Sequence, residues 1–309
     1  MTERAALVAA AGAVISQGSQ SFAAASKLFA PATREQAWLL YAWCRAADDL
    51  TDGQEFGHGA ATRHNPQAAQ ARLEALTAAA LDSREVVPLP FAALRQVAGE
   101  TAMPRRFISD HLAGFALDAA DWRPDGEADL LRYCYHVAGS VGCMMAVVMG
   151  VSPQDDDTLD RACDLGLAFQ LANIARDIVP DAMVERCYLP RVWLEAENLD
   201  ESELADPRRR ASLAKLAARL VELSRPYRRS ARIGAARLPF RSRLAVLAAD
   251  GIYGAIGEQV AAQGSRAWDQ RVRVGKAGKL GLLGQAVLRS RGAPASTPRD
   301  GLWTRPRQT

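Results

Sequence analysis

The chain has 309 residues, of which 49% are hydrophobic and 24% are charged, as in an ordinary folded, water-soluble protein. A formal net charge of only +3 argues against a protein whose whole surface binds polyanions. The five cysteines form no C-x-x-C pair or zinc pattern, so we expect buried thiols in a reducing compartment. Neither a secretion signal nor a run of about 18 apolar residues occurs, and we expect a cytoplasmic protein without a membrane span.

Helical spacing of apolar residues recurs along the chain, and no convincing strand alternation interrupts it. We expect one all-α domain over residues 1–290, with a loop at 53–66 and a stop or kink at Pro180. From residue 291 to 309, the Pro, Ser, Thr and Arg content predicts a disordered basic tail. The predicted helices cover 2–15, a short segment ending near 28, then 34–52, 67–81, 90–99, 105–119, 127–149, 155–179, 190–197, 208–225, 227–236, 240–262 and 265–286.

Positive charge is concentrated at the C-terminal end of the chain. Residues 263–309 contain ten Lys or Arg and two acids, while the first 262 residues carry a net charge of −5. Such a segment suits contact with an anionic membrane, and a solvated tail is an equally good interpretation. Nucleic acid is disfavoured as the partner, because only Trp268 and Trp303 supply aromatic rings among these basic residues.

An acidic stretch lies near the end of the helix predicted over 34–52. Tyr41, Arg45, Asp48 and Asp52 are spaced by four, three and four residues, so they share one helix face. Carboxylates at this spacing repel each other, and the negative end of the helix dipole disfavours them further. A hard cation with oxygen ligands would offset both effects, and a solvated acidic turn is the alternative. Asp49 is expected to be a supporting or solvent-facing acid.

A second acidic stretch repeats this design. Asn173, Asp177 and Asp181 follow an i, i+4, i+8 spacing, with Gln170 three residues earlier, in a helix of otherwise apolar character. Buried carboxylates need partners, and Mg²⁺ suits oxygen ligands and bridges to phosphates. No His or Cys set for a transition metal is present. Together the two stretches predict a Mg²⁺-dependent diphosphate site, with two unrelated helix ends as the alternative.

Both stretches resemble the acid-rich motifs of the squalene/phytoene synthase family, and the resemblance runs from about residue 14 to 285. One departure is Val-Pro180-Asp181 in place of the family's usual Gly-Glu-Asp. Proline bends a helix, so the sequence leaves open whether the Asp181 side chain points in the direction needed to bind the metal. The matching segments are Tyr41-x-x-Cys-Arg45-x-x-Asp48-Asp49-x-x-Asp52, Gln170-x-x-Asn173-Ile-x-Arg176-Asp177, the tyrosine-containing helix at 133–142, Arg186-Cys-Tyr188-Leu-Pro190, the serine flap Ser19-x-Ser21-Phe22, and the C-terminal Tyr253 and Arg271.

The resemblance, strongest to bacterial phytoene synthases, implies an isoprenoid-synthase-type helical bundle with a central apolar cavity. It implies head-to-head condensation of two geranylgeranyl diphosphates through a cyclopropylcarbinyl diphosphate to phytoene, with Mg²⁺ (or Mn²⁺) and without NADPH. Two alternatives remain open. One is a squalene or dehydrosqualene synthase acting on farnesyl diphosphate, with or without NADPH. The other is a non-catalytic relative that acts as an assembly factor.

The resemblance also implies a role for each motif residue, and peripheral membrane contact with possible hand-off of product to a carotenoid desaturase. Each arginine has an alternative as the ion-pair partner of an aspartate, and each tyrosine has one in core packing. Small residues on the central helices, including Gly139 and Gly142, either leave space for substrate or allow close helix packing. The implied metal ligands are Asp48, Asp52, Asn173, Asp177 and Asp181; the substrate-binding residues are Ser19, Ser21, Phe22, Gln170, Arg176, Arg186 and Arg271; the catalytic residues are Arg45, Tyr41, Tyr133, Tyr188 and Tyr253.

Overall fold

The computed structural model describes residues 3–18, 20–52, 65–292 and 298–307, without the side chains of residues 20, 21, 24 and 52. Helices and the connections between them make up all of these ranges. No strand occurs in these ranges, which confirms the predicted all-α class. The α-helices are α1 (Glu3–Gly18), α2 (Gln20–Ser26), α3 (Pro31–Asp52), α4 (Pro66–Asp82), α5 (Leu89–Thr101), α6 (Arg105–Ala119), α7 (Glu127–Cys134), α8 (Ser140–Val148), α9 (Asp156–Ala182), α10 (Arg191–Ala196), α11 (Arg210–Ala235), α12 (Phe240–Gln263) and α13 (Lys276–Ser290). None of these is long and apolar enough to cross a membrane.

The chain forms two compact units, Met1–Ala120 with Met144–Gln154, and Asp121–Cys143 with Asp155–Thr309. In the first unit, α3 packs against α1, α4 and α5. Its side chains Leu40, Trp43 and Ala47 are at most 1% exposed and recur every three or four residues, so they form the core-facing stripe. The acidic stretch of α3 is therefore left on the adjacent face of the helix.

In the second unit, α9 is the central helix and contacts α7, α11 and α12. The backbones of α9 and of the helix before it approach closely. A Cβ added at Gly142 would lie only 2.4 Å from the carbonyl oxygen of Ala162. A Cβ at Gly166 would lie 2.3 Å from the carbonyl oxygen of Ala138. Of the two interpretations of the small residues, close helix packing is the one that applies at Gly139 and Gly142, and the predicted apolar cavity stays a prediction.

Two prolines lie inside helices where the sequence predicts breaks. α9 continues through Pro180 to Ala182, and α11 continues through Pro226 as one helix in place of two. A proline inside a helix costs about 3 kcal/mol, because it removes a backbone N–H and its ring crowds the preceding turn. Apolar side chains buried beside each proline, Val179 and Tyr227 at 2% exposure, stabilise by about 2 kcal/mol each and help to offset that cost.

Two other helix predictions need correction. The helix predicted over 127–149 is α7 and α8 joined by a π-helical turn, Tyr135–Gly139. The helix predicted over 265–286 begins only at Lys276. The reason is Gly264, whose φ of +55° ends α12 and leads into a single 3₁₀ turn, a conformation that glycine adopts without Cβ strain.

The C-terminal segment differs from the disordered tail that its composition predicts. Residues 293–297 and 308–309 lie outside the described residues, but residues 298–307 pack on the second unit. Arg305 is 2% exposed, and its Nε lies 2.8 Å from Oδ1 of Asp160 on α9. Arg299 holds the fully buried Asp164 through two nitrogens at 2.7 and 2.8 Å. Composition could not show this, because the acids that bind these arginines are more than 130 residues away.

Candidate active site

The second acidic stretch lies along one face of α9. Because the helix continues through Pro180, Asp181 keeps its one-turn spacing from Asp177 and stays on the same face. The side chain of Asp177 is 16% exposed, and Gln170, Asn173 and Asp181 are half-buried. The predicted row of polar residues is therefore present as a continuous, partly sheltered stripe.

Asp177 is held between two arginines. Nε of Arg176 lies 2.9 Å from one of its oxygens, and a second nitrogen of Arg176 contacts the other oxygen. Arg271, in the segment between α12 and α13, donates from Nη2 to Oδ2 of Asp177 at 3.0 Å. The ion-pair interpretation therefore holds for both arginines in this structure. Two guanidinium groups around one carboxylate leave an excess of positive charge at this point of α9.

Asp181 lies in a different electrostatic environment. Burial, together with the neighbouring charge of Asp177, raises the pKa of Asp181 to about 7, while Arg186, Arg176 and Arg271 act in the opposite direction. Removal from water disfavours the charged form of a carboxyl group, and so does a second carboxylate one turn away. A nearby cation would therefore stabilise the charged form of Asp181 more than that of the other acid in this row, Asp177.

Aromatic rings lie beside the acidic row in the second unit. Tyr133, at 3% exposure, stacks on Tyr188 with ring centres 4.9 Å apart and an angle of 19° between the planes. The Tyr133 ring also stacks on that of Trp122, with ring centres 5.8 Å apart. On α12, Tyr253 stacks on Phe169 at 4.1 Å, and burial raises its pKa while Arg176 acts in the opposite direction. Stacking therefore holds the rings of these tyrosines in fixed positions.

The segment after α9 brings a further arginine and a tyrosine to the same place. Arg186 and Tyr188 line a small pocket together with Asp181 and the apolar side chains of Ile174 and Ile178. The backbone N–H of Arg186 donates to the carbonyl oxygen of Asp181 at 2.9 Å. The second unit thus collects the predicted residues Gln170, Asn173, Arg176, Asp177, Asp181, Arg186, Tyr188, Tyr133, Tyr253 and Arg271 around α9.

The first acidic stretch lies in the first unit, on the last turns of α3. Nη2 of Arg45 lies 3.0 Å from Oδ1 of Asp49 and 3.5 Å from Oδ2 of Asp48. Asp49 is therefore the main ion-pair partner of Arg45, as the supporting role predicts, while the Asp48 side chain is 44% exposed. Asp52 ends α3, and its side chain lies outside what the structure describes. Approach of the two acidic stretches to each other stays a prediction.

Tyr41 and the predicted flap meet in the first unit. The ring of Phe22 in α2 lies 5.3 Å from that of Tyr41. Burial raises the pKa of Tyr41 to about 12, with Arg45 opposing, so its hydroxyl stays protonated. The close fit at Gly18, where a Cβ would lie 2.7 Å from the Tyr41 hydroxyl oxygen, holds the end of α1 against this ring. Ser19 lies outside the described residues, as does the side chain of Ser21.

Two aromatic residues at this site were missed by sequence reasoning. Phe169 directly precedes Gln170, so its position beside the motif is a signal that could have been used. Trp122 lies in the connection between α6 and α7, where no spacing pattern points to it. Only the ring stacking on Tyr133 shows that Trp122 belongs to this region.

Comparison with known proteins gives matches over nearly the whole chain. A family model described as squalene/phytoene synthase matches residues 15–277. The 15-cis-phytoene synthase of Enterobacter agglomerans is 49% identical over 94% of this chain and 99% of its own length. That of a Paracoccus species is 47% identical, over 97% and 98% of the two chains.

A solved structure shares the fold. The crystal structure of a dehydrosqualene synthase in complex with a ligand superposes with a TM-score of 0.82 at 26% identity, covering 94% of this chain and 98% of that one. The sequence matches are much stronger than the 30% identity at which fold and family are normally shared, and they span both units. The chain therefore belongs to the squalene/phytoene synthase family.

Proposed function

We propose that this protein is a prenyltransferase that joins two molecules of geranylgeranyl diphosphate head to head, through a cyclopropylcarbinyl diphosphate, to give 15-cis-phytoene without a reductant. The observation that carries the proposal is the 47–49% identity to 15-cis-phytoene synthases over nearly the full length of both chains. The residues gathered around α9 support it, because they supply the charges and rings that such a reaction needs.

The metal site is proposed to use Asn173, Asp177 and Asp181 of α9 with Asp48 and Asp52 of α3. In the described part of the chain, no three His, Cys, Asp or Glu side chains converge. Mg²⁺ suits such a donor set, since it takes one or two carboxylates, keeps several waters and uses substrate phosphates as further ligands. Asp181 also fits a cation site, because burial and the carboxylate of Asp177 disfavour its charged form and a bound cation would stabilise that form. When bound, Mg²⁺ supplies Lewis-acid neutralisation of the diphosphate leaving group.

The arginines are proposed to bind the diphosphate. Arg271 is 54% exposed and bonded to Asp177 through one nitrogen, so its remaining N–H groups can reach a phosphate. Arg176 and Arg186 add positive charge close enough to Asp181 to oppose the rise in its pKa. The rings of Tyr133, Tyr188 and Tyr253 can stabilise a carbocation through their faces, and Tyr41 with the flap at Phe22 would exclude water.

A second candidate is a dehydrosqualene or squalene synthase that acts on farnesyl diphosphate. The TM-score of 0.82 to a dehydrosqualene synthase favours it as the alternative. An assembly factor without activity has less support, because such a protein does not need an intact acidic row. Substrate length depends on the depth of the apolar cavity, and the reaction products distinguish the candidates directly.

The test is to incubate the purified protein with Mg²⁺ and either geranylgeranyl or farnesyl diphosphate, with and without NADPH, and to identify the hydrocarbon. Phytoene formed equally with and without NADPH supports the proposal. Squalene or dehydrosqualene as the main product contradicts it. Separate Asp48→Ala and Asp177→Ala variants should lose product formation while keeping their helical content, and full activity in either one contradicts the two-cluster metal site.

Release of an apolar product is proposed to involve contact with the membrane, before a desaturase takes it up. On α13, Leu280 and Leu288 are 71% and 67% exposed and lie two helical turns apart, beside Lys276 and Arg289. A Leu280→Ser, Leu288→Ser variant should lose flotation with vesicles that contain anionic lipid. Val86→Ser, at a fully exposed site of the first unit, is the control and should float as the parent protein does.

A further inference from the structure

The connection between α6 and α7, residues 121–126, contacts the segment that carries Arg186 and Tyr188 at three places. At one end of that segment, Nη2 of Arg123 donates to the carbonyl oxygen of Glu185 at 2.9 Å. At the other end, the backbone N–H groups of residues 191 and 192 donate to the carbonyl oxygens of residues 124 and 125 at 2.9 and 3.2 Å. Between them, the ring stack described above joins residue 122 to Tyr188 through the ring of residue 133.

Glu185 is the point at which this segment turns away from α9. Its φ is +58°, and the N–H groups of Glu185 and Arg186 donate back to the carbonyl oxygens of Ala182 and Asp181. This is the hydrogen-bond pattern of a Schellman turn, in which glycine normally occupies the left-handed position. A glutamate there is strained, since its Cβ crowds the backbone. The turn therefore needs support from outside α9, and it fixes the direction in which Arg186 leaves the helix.

Arg123 supplies that support through its planar guanidinium, whose N–H donors point in fixed directions. Besides Glu185, its guanidinium donates to Oε2 of Glu201 at 3.0 Å and to Oδ1 of Asp121 at 2.8 Å. The two carboxylates hold the planar group in one orientation, so the N–H that reaches the Glu185 carbonyl is already aimed. The Arg123 side chain is 28% exposed, and its hydrogen bond to the turn is made to the backbone carbonyl of Glu185.

We propose that Arg123 is a positioning residue for the diphosphate site: it holds the Glu185 turn so that Arg186 and Tyr188 face Asp181. The inference rests on the proposed role of Arg186 in diphosphate binding. Arg123 itself does not touch the substrate, and it acts through the direction of the chain at residues 185–188.

The test measures binding of inorganic pyrophosphate in the presence of Mg²⁺ by isothermal titration calorimetry. Arg123→Ala should weaken binding about tenfold, because one charge-assisted hydrogen bond holds the turn. Arg123→Lys keeps a positive charge beside Glu201 but lacks the planar guanidinium with its fixed donors, so it should also weaken pyrophosphate binding. It replaces the alanine variant in this test if that variant does not fold. In steady-state assays, both should raise KM for the isoprenoid diphosphate more than they lower kcat.

Glu201→Gln is the matched control. It removes the charge of one ion-pair partner but keeps a side-chain oxygen that accepts from Nε of Arg123, so the guanidinium stays aimed at Glu185 and pyrophosphate affinity should stay within about twofold of the parent value. A loss as large as that of Arg123→Ala would mean that the ion pair, and not the turn, is what matters, and would overturn the proposal. Unchanged binding in Arg123→Ala would overturn it as well.

A double-mutant cycle separates this inference from the proposed function. If Arg123 acts through Arg186, the Arg123→Ala, Arg186→Ala protein should bind pyrophosphate no more weakly than Arg186→Ala alone. Additive losses would show that Arg123 acts independently and would overturn the positioning role, while the diphosphate role of Arg186 would stand. Unchanged binding in Arg186→Ala alone would instead contradict the proposed role of Arg186, and this inference with it.

Discussion

Arg299 offers the sharpest test of how the C-terminal segment contributes to stability. It holds Asp164, a fully buried acid of α9, through two charge-assisted hydrogen bonds of 2.7 and 2.8 Å. The Arg299→Ala variant removes the cation and leaves the carboxylate in place. Breaking a buried ion pair by removing one partner costs about 3–5 kcal/mol, because the remaining charge is uncompensated.

The expected magnitude lies at the lower end of that range. Asp164 keeps a hydrogen bond from Ser230, and it can escape the full penalty by taking up a proton. We therefore expect Arg299→Ala to lower the free energy of unfolding by about 3 kcal/mol near neutral pH, and to lower Tm by about 6–10 °C for a protein of this size. The measurement is thermal unfolding followed by far-ultraviolet circular dichroism.

The pH dependence of this loss gives a second readout. Burial already raises the pKa of Asp164, with Arg299 opposing, and removal of the arginine should raise it further. The folded variant then holds a proton that the unfolded chain has lost, so stability falls as pH rises. The deficit of Arg299→Ala should therefore be larger at about pH 8 than at about pH 5.5. Adding Asp164→Asn, which removes the charge, should restore part of the lost stability.

Arg208→Ala is the matched control for this experiment. Arg208 is also an arginine paired with an aspartate, Asp206, but its side chain is 88% exposed. Water and salt screen an exposed pair, so its contribution to stability is small and this variant should unfold close to the parent Tm. If Arg299→Ala behaved like Arg208→Ala, the contact with Asp164 would not stabilise the fold and the reasoning would be refuted.

Two further predictions concern packing and acid stability. A Cβ at Gly254 would lie 1.8 Å from Nη2 of Arg228, so Gly254→Ala should displace that guanidinium from the buried carboxylate of Asp250. Because Nε of Arg232 still holds Asp250 at 2.7 Å, the loss should be about 1–2 kcal/mol. Gly281→Ala, in open space on a helix, should be neutral or stabilise by up to about 1 kcal/mol. Denaturant titration of both variants checks this. Hydrogen bonding to Arg4 lowers the pKa of Glu100 to about 2, so its stabilisation is present above about pH 4.5 and is lost as pH falls toward 2. Glu100→Gln should therefore cost about 1 kcal/mol at neutral pH and much less at about pH 2, where the folded-state carboxyl is about half protonated, as measured by denaturant titration at several pH values.

Much of the fold follows from helical periodicity, and the errors have local causes. The pattern predicts α3 and α6 to within a few residues because each has an apolar stripe, and it predicts α12 because Pro239 and Gly264 mark its two ends. It fails at Pro226, where burial on both sides of the proline outweighs the lost hydrogen bond. It fails again after Gly264, because no property of the following residues shows that the chain leaves the helix.

For the site as well, the sequence predicts arrangements within one helix but not contacts between segments that are distant in the chain. Spacing predicts that Asp177 and Asp181 share a face, since that depends only on the helix they occupy. It cannot predict that Arg271 reaches Asp177 from 94 residues away, or that Trp122 stacks on Tyr133. These contacts depend on how helices distant in sequence pack together.

α9 shows why acid spacing alone does not identify a metal site. Its first half carries Asp156, Asp160 and Asp164 at the i, i+4, i+8 spacing that its second half repeats with Asn173 and the acids after it. The last two acids of the first row are closed to solvent, at 3% and 0% exposure, and three arginines of the C-terminal segment contact them. The second row is partly accessible and lies beside the tyrosine rings. A row that the chain neutralises with its own arginines and closes to solvent serves the fold, while a row that stays open to solvent can receive an external cation. Accessibility and the placement of distant arginines therefore separate the two rows, and neither can be read from a spacing that both rows share.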